Sequence, residues 1–211
     1  EFNAEKVDAY EVGAKLELDE GTADLNIALF MMKFHELQTS TFDGSVGFVV
    51  LNAGEATNTG LEIDGRWLFS NDWLISANLG LLDFEWDEFS GAKCFASPSA
   101  TPDNVEAGGA SCDLSGKTNA FSPKTSGNIK LQYQTELSRS LELTFDIETY
   151  FKSSYFTNTD LNPFVKQPAY QKWDARLAIA DTYAGWTLAL LGKNLTDEIT
   201  YSYSTTMPLS P

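Results

Sequence analysis

The sequence predicts an all-β protein, an antiparallel transmembrane β-barrel with short turns at one end and long loops at the other. Three observations point there. First, Leu141, Leu143, Phe145, Ile147, Thr149 and Phe151 alternate with Glu142, Thr144, Asp146, Glu148, Tyr150 and Lys152. Successive side chains of a strand point to opposite faces, so one face is apolar and the other is charged almost without a break. Second, the alternation outlasts the roughly five or six residues of an ordinary strand. It fits the roughly 9–11 residues that cross a bilayer as a barrel strand. Third, the pattern recurs along the chain, with short and long connections taking turns.

Residues 10–19 place Tyr10, Val12, Ala14, Leu16 and Leu18 against Glu11, Lys15, Glu17 and Asp19, and Glu20-Gly21-Thr22 supplies a tight turn. In residues 23–38, Leu25, Ile27, Leu29 and Met31 share a face, while Ala28, Phe30, Met32 and Phe34 blur the phase. The polar stretch near 39–58 reads as a loop. Leu61, Ile63, Trp67 and Phe69 then oppose Glu62, Asp64 and Arg66. After a turn at Ser70-Asn71-Asp72, Trp73, Ile75, Ala77, Leu79 and Leu81 oppose Ser76, Asn78 and Gly80. Regular alternation stops over 87–123, a long loop of the kind that is usually functional.

Ile129, Leu131 and Tyr133 face away from Asn128, Lys130, Gln132, Gln134 and Glu136, and Ser138-Arg139-Ser140 turns into the strand described first. Residues 157–169 form another long loop. Trp173, Ala175, Leu177 and Ile179 oppose Lys172, Asp174 and Arg176, and Trp186, Leu188 and Leu190 open a last strand after a turn near Gly185. Short turns alternating with long loops are the connection pattern of outer-membrane barrels. Tyr10, Trp67, Phe69, Trp73, Tyr183 and Trp186 are expected to form an interfacial girdle at strand ends beside the turns.

Composition agrees. The 211 residues contain no apolar run long enough for a membrane helix, and mean hydropathy is −0.22. A net charge of −16 argues against nucleic acid as a partner. No basic stretch precedes an apolar one, so no signal peptide is expected, and the sequence reads as mature or as starting inside a longer protein. Cys94 and Cys112 share one polar stretch; a disulfide across a surface loop is expected, with two unpaired thiols or half a metal site as alternatives. No Cys or His stands nearby to complete a metal site. Such a bridge would stabilise by about 3 kcal/mol on the chain-entropy model.

No catalytic constellation stands out, and no enzyme activity or cofactor is expected. His35, the sole histidine, is read as a wall or rim residue rather than a base or ligand. The pairs Glu62/Asp64 and Asp146/Glu148 could be drawn as acid–base couples. They are better explained as parts of a charged inner wall with Arg66, Lys172, Asp174 and Arg176, compensated across strands. No Asp/Asn/Gly run matches a calcium loop.

Several pieces then resemble one family. They are Tyr10-Glu11-Val12-Gly13-Ala14-Lys15, Leu25-Asn26-Ile27-Ala28-Leu29-Phe30 running to Glu36-Leu37-Gln38, and Asn52-Ala53-Gly54-Glu55-Ala56 leading to Gly60-Leu61-Glu62. Pro123-Lys124 precedes a strand, and Gly192-Lys193-Asn194-Leu195-Thr196-Asp197-Glu198 with Tyr201 comes near the end. Their order resembles the C-terminal barrel of a TonB-dependent outer-membrane receptor over residues 1–211.

The resemblance implies about eight strands of a 22-stranded barrel in the bacterial outer membrane, in contact with lipid and lipopolysaccharide. It implies a plug domain and a TonB-contacting segment upstream, and a final strand beyond Pro211. The implied function is uptake of a scarce small-molecule nutrient, such as an iron chelate, a cobalamin or an oligosaccharide, released inward by energy passed through TonB. Ligand contacts are then expected from the long external loops. Trp86, Asp87, Glu88 and Phe89 lead into the cysteine loop, and Tyr155, Phe156, Asn158 and Asn162 open the next one. The competing classes are a passive porin-like barrel and a soluble β-rich binding or adhesion module.

Overall fold

The computed structural model describes residues 3–42, 48–95, 102–106 and 111–204. Eight strands form one antiparallel sheet in the order β1(Lys6–Leu18), β2(Ala23–Phe42), β3(Phe48–Ser70), β4(Trp73–Glu88), β5(Thr125–Glu136), β6(Leu141–Lys152), β9(Tyr170–Asp181) and β10(Trp186–Gly192). Between β6 and β9 a two-residue hairpin, β7(Tyr155–Phe156) with β8(Lys166–Gln167), sits in the loop. Every neighbour in the sheet is also a neighbour in sequence once that loop is set aside, which is the up-and-down order of a barrel wall.

The register puts like with like. Leu25, Gly65, Ala77 and Ile129 lie directly across from one another, as do Ile27, Ile63, Leu79 and Gly127. On the opposite face Asn26, Asp64, Asn78 and Asn128 form the matching row. A slip of one residue in any pairing would exchange the two faces, so the patterning fixes the register. At Gly127 an added Cβ would stand 2.4 Å from the Asn78 carbonyl and 2.7 Å from the Phe151 ring, which lies across the bare backbone.

Among the described residues, no second layer covers the apolar face. Leu16, Leu29 and Leu177 are 42%, 53% and 45% exposed, and Leu141, Phe145 and Ile63 are half-exposed. A soluble sandwich would hide this face beneath a second sheet, and none is present among the described residues. Trp67, Phe69, Trp73 and Tyr133 run in a row along its turn end, with successive ring centroids 5.6, 6.3 and 4.7 Å apart. Tyr10 does not join them. Strand β1 begins four residues earlier, at Lys6, so Tyr10 lies within the strand opposite Met31, toward the loop end.

The loop expected over 39–58 is mostly strand. Strands β2 and β3 continue to Phe42 and from Phe48, and the link between them falls outside the described residues. Polar content hid this, because Thr and Val favour strands as strongly as they mark a loop here. The extension survives a register irregularity between Phe34 and Leu37, where Glu36 (φ 56°) and Gly54 (φ 125°) adopt left-handed backbone. A side chain at Gly54 would meet the Glu88 carbonyl at 2.1 Å.

The buried core is at the loop end. Ala56, Trp86, Phe89, Ala92 and Leu114 cluster there, with Phe34, Leu37, Phe84 and Leu161 packed against them. Phe34, Ala56, Phe84 and Trp86 stand on the same face as Asp64 and Asn78. The inner face therefore turns apolar toward the loops and is covered there by the segment after β4. That is the physical origin of the blurred phase in β2: both of its faces are apolar near Phe34, one of them for the loop.

Candidate functional site

Two features mark the polar side of the sheet. One is a ladder of charged and amide side chains. Arg66 Nε donates to Asp24 Oδ2 at 3.0 Å and Asn26 Nδ2 to Asp64 Oδ1 at 2.9 Å. Asn78 Nδ2 donates to Asn128 Oδ1 at 2.9 Å, and Asn128 Nδ2 to Glu148 Oε1 at 2.8 Å. Asp146, only 8% exposed, accepts from Arg176 Nη1 at 3.3 Å, and Lys130 Nζ lies 3.1 Å from its other oxygen as an ion pair that makes no hydrogen bond. Asp174 Oδ1 accepts the backbone N–H of Asn194 at 2.8 Å. Glu62 and Lys172 occupy the same face, opposite Gly80 and Tyr150. All eight of the residues expected on a charged inner wall thus share one face. Asn26, Asn78, Asn128 and Lys130 share that face and pair with these residues or with one another.

The second feature is a cap of loops above the ladder. The disulfide Cys94–Cys112 ties the segment after β4, and Ala92 and Cys112 exchange backbone hydrogen bonds at 2.9 and 2.8 Å. Asp113 accepts from both the hydroxyl and the N–H of Ser115, which holds its carboxyl below the usual carboxylate range and tightens the next turn. Phe121 N–H donates to Phe156 O at 2.8 Å, joining this loop to the one after β6. The residues after β10 close onto the same place. Tyr201 N–H donates to Gln167 Oε1 at 2.7 Å, and Thr157 shares a hydrogen bond with Ser204. Asn194 shapes that return, accepting from Glu198 N–H at 3.0 Å and donating to Glu198 O at 3.1 Å. The physical content of the Lys193-Asn194-Leu195-Thr196-Asp197 piece is this clamp.

Between the two long loops lies a cleft of about 300 Å³, lined by Phe156, Asp160 and Pro163 on one side and by Asn104, Leu114 and Lys117 on the other. Asp160 is 8% exposed; burial pushes its carboxyl up, opposed by the Asn162 N–H and by Lys93. Lys166 Nζ stands 4.8 Å from the centre of the Phe156 ring, within the range of a cation–π contact. The cleft can therefore hold a flat or ring-bearing ligand against Phe156, with cationic and acidic groups at its edges.

Of the expected ligand-contacting residues, Phe156 reaches this cleft and Tyr155 pairs with Gln167 in the adjoining hairpin. Trp86 and Phe89 are buried beneath the loop, their rings 4.6 Å apart. Asn162 is 1% exposed and accepts from Phe164 N–H, capping a short 3-10 turn, and Asn158 accepts from Thr159 N–H. Asp87 points to the other face, where it accepts from Thr57 Oγ1 at 2.6 Å, and Glu88 is exposed opposite Glu55. Asp160, Lys93 and Lys117 were not legible as site residues. The one available signal was Asp160 between the amides Asn158 and Asn162. His35 is a rim residue: its Nε2 and Nδ1 lie 3.3 Å from Asp8 and Glu55, tying β1 to β3 across β2.

The sequence profile of the family described as TonB dependent receptor-like, beta-barrel, matches residues 1–195. The chain belongs to the TonB-dependent receptor family. It is 33% identical over 86 residues to the pesticin receptor of Yersinia enterocolitica, a match covering 40% of this chain and 12% of that protein. The same fold appears in the ferric yersiniabactin uptake receptor FyuA of Yersinia pestis, with a TM-score of 0.72 at 19% identity over 99% of this chain and 28% of that one. It appears also in the siderophore receptor PiuA of Acinetobacter baumannii, with a TM-score of 0.68 at 18% identity over 94% and 26% of the two chains. The ferric citrate transporter FecA gives 0.65 at 20% identity over 95% and 28%. The chain thus spans little more than a quarter of these receptors, and within the family barrel its sheet supplies eight adjacent strands.

Proposed function

We propose that this chain is the later part of the barrel of an active outer-membrane transporter that imports an iron chelate. The observation that carries the reading is the two-sidedness of one sheet. Charged and amide side chains, many of them hydrogen-bonded to a neighbour, line one face from β2 to Asn194, two residues past Gly192, and an apolar band ending in aromatics occupies the other. Such a wall suits an aqueous lumen on one side and lipid, including lipopolysaccharide, on the other. A plug domain seated in the lumen meets the ladder, and TonB acts through that plug. The relatives' descriptions favour an iron chelate over a cobalamin or an oligosaccharide. The cleft beside Phe156, Lys117 and Asp160 is the proposed first contact, and Tyr155 and Asn158 flank Phe156 in the same loop.

The test is growth and labelled-iron uptake by cells that carry the full-length receptor as their one route for a given ferric chelate. Uptake that stops when TonB is depleted, and binding weakened by Phe156→Ala or Lys117→Ala, is the expected outcome. Chelate entry that continues without TonB would refute active transport and favour a passive barrel.

A further inference from the structure

The apolar face is not uniformly flat. Where β3 and β4 present Gly65 and Ala77 side by side, the sheet lacks side-chain height, while the rows beside them project Ile63, Leu79 and Phe151 on one side and Trp67 and Ile75 on the other. The result is a groove of about 780 Å³. Its floor and side walls are built by β2, β3, β4 and β5, each of which has both strand neighbours here.

What occupies it is constrained by its position and by its mouth. Trp67 is both a wall of the groove and a member of the aromatic row, so the groove opens from the membrane interface into the apolar band on the short-turn side. Its mouth is formed by Leu18 and Asp19 of the first turn. Asp24 and Arg66 also border it, but their side chains project to the opposite face and pair with each other. Among the described residues that line the groove, the exposed Asp19 carboxylate is then the charged group of the first turn, with Glu20 next to it in that turn. It accepts from Thr22 Oγ1 at 2.8 Å, and a carboxylate has acceptor positions beyond one such bond.

We propose that this groove holds an acyl chain of a phospholipid from the leaflet at the turn end, and that Asp19 selects an ammonium headgroup such as ethanolamine. The inference rests on the membrane-barrel reading above. An anionic phospholipid would place its charge against Asp19, and a hydrocarbon tail matches the groove walls better than any polar partner.

The experiment uses the full-length receptor, extracted in mild detergent and equilibrated with equal amounts of phosphatidylethanolamine and phosphatidylglycerol. Retained lipid is counted by native mass spectrometry, and folding of each variant is checked by heat-modifiable migration. Wild type should keep one phospholipid and prefer phosphatidylethanolamine about fivefold, as expected for a single charge near the membrane surface. Ala77→Phe, which fills the groove, should lose the retained lipid; Asp19→Asn should keep it and lose the preference. Equal retention of both lipids by wild type, unchanged retention in Ala77→Phe, or a dimer that Ala77→Phe dissociates would overturn the proposal. A receptor that stays soluble without detergent would sink the membrane reading itself, whereas a detergent-bound barrel that keeps no lipid sinks only this inference.

Discussion

Asp146 is the place where the inner-wall ladder is most sensitive to perturbation. Its carboxylate is buried between Lys130 on β5 and Arg176 on β9, at 3.1 and 3.3 Å, so one acid neutralises two cations on the strands either side. Asp146→Asn keeps the volume and removes the charge. Breaking a fully buried pair costs about 3–5 kcal/mol because the partner is left uncompensated. Here Lys130 and Arg176 are 35% and 37% exposed, and water screens part of that loss. About 2 kcal/mol is therefore expected, between the buried and surface limits. The assay is equilibrium unfolding of the receptor in lipid vesicles, followed by tryptophan fluorescence. Adding Arg176→Gln to Asp146→Asn should cost less than the sum of the single changes, with a coupling of about 1 kcal/mol or more. Strict additivity, or a single-variant loss under about 0.5 kcal/mol, the surface-substitution range, would refute the ladder as a bonded network.

Three further perturbations probe other parts of the structure. Cys94→Ser opens a loop spanning 18 residues and should lower stability by about 3 kcal/mol on the chain-entropy model; the unfolding midpoint should fall, and limited proteolysis should cut between 89 and 124 faster than in wild type. Glu55 and Asp8 raise the His35 pKa, so the clamp is fully charged below about pH 6.5 and is lost as pH rises through the raised value. Amide exchange over Lys6–Tyr10 should quicken across that window in wild type and be pH-independent, apart from intrinsic rates, in His35→Phe. Gly127→Ala forces the Phe151 ring and the Asn78 carbonyl apart and should cost about 1–3 kcal/mol. Gly80→Ala, whose nearest neighbour would be Ser126 Oγ at 3.5 Å, should stay within about 1 kcal/mol of wild type by the same unfolding assay.

Alternation made most of the wall legible in the sequence. Leu141–Lys152 has the bounds expected of it, and the residues placed on the charged face of β3, β6 and β9 are on one face. Periodicity fails where the inner face of a strand is itself apolar beneath a loop. Phe34 looks out of phase because a loop, distant in sequence, provides its apolar surroundings. It fails again over Thr39–Phe42, where Thr39, Ser40 and Thr41 are polar in succession and the sequence shows no alternation. The loops of the cap were legible where alternation stops, over 87–123 and 157–169, and their bridge through the two cysteines. The cleft depends on Lys117 meeting Phe156 and Asp160, 39 and 43 positions further along the chain, and no local pattern encodes that approach.

The most direct test of the whole account compares two adjacent residues of β4. Leu79 and Asn78 are consecutive, in the middle of the wall, and stand on opposite faces. Spin labels at each, in the full-length receptor reconstituted in vesicles, report accessibility to oxygen, which partitions into hydrocarbon, and to a water-soluble nickel chelate. The account predicts that the label at position 79 is reached by oxygen and shielded from nickel, and that the label at position 78 is not exposed to hydrocarbon. Equal nickel access at position 79, or hydrocarbon contact at position 78, would contradict it.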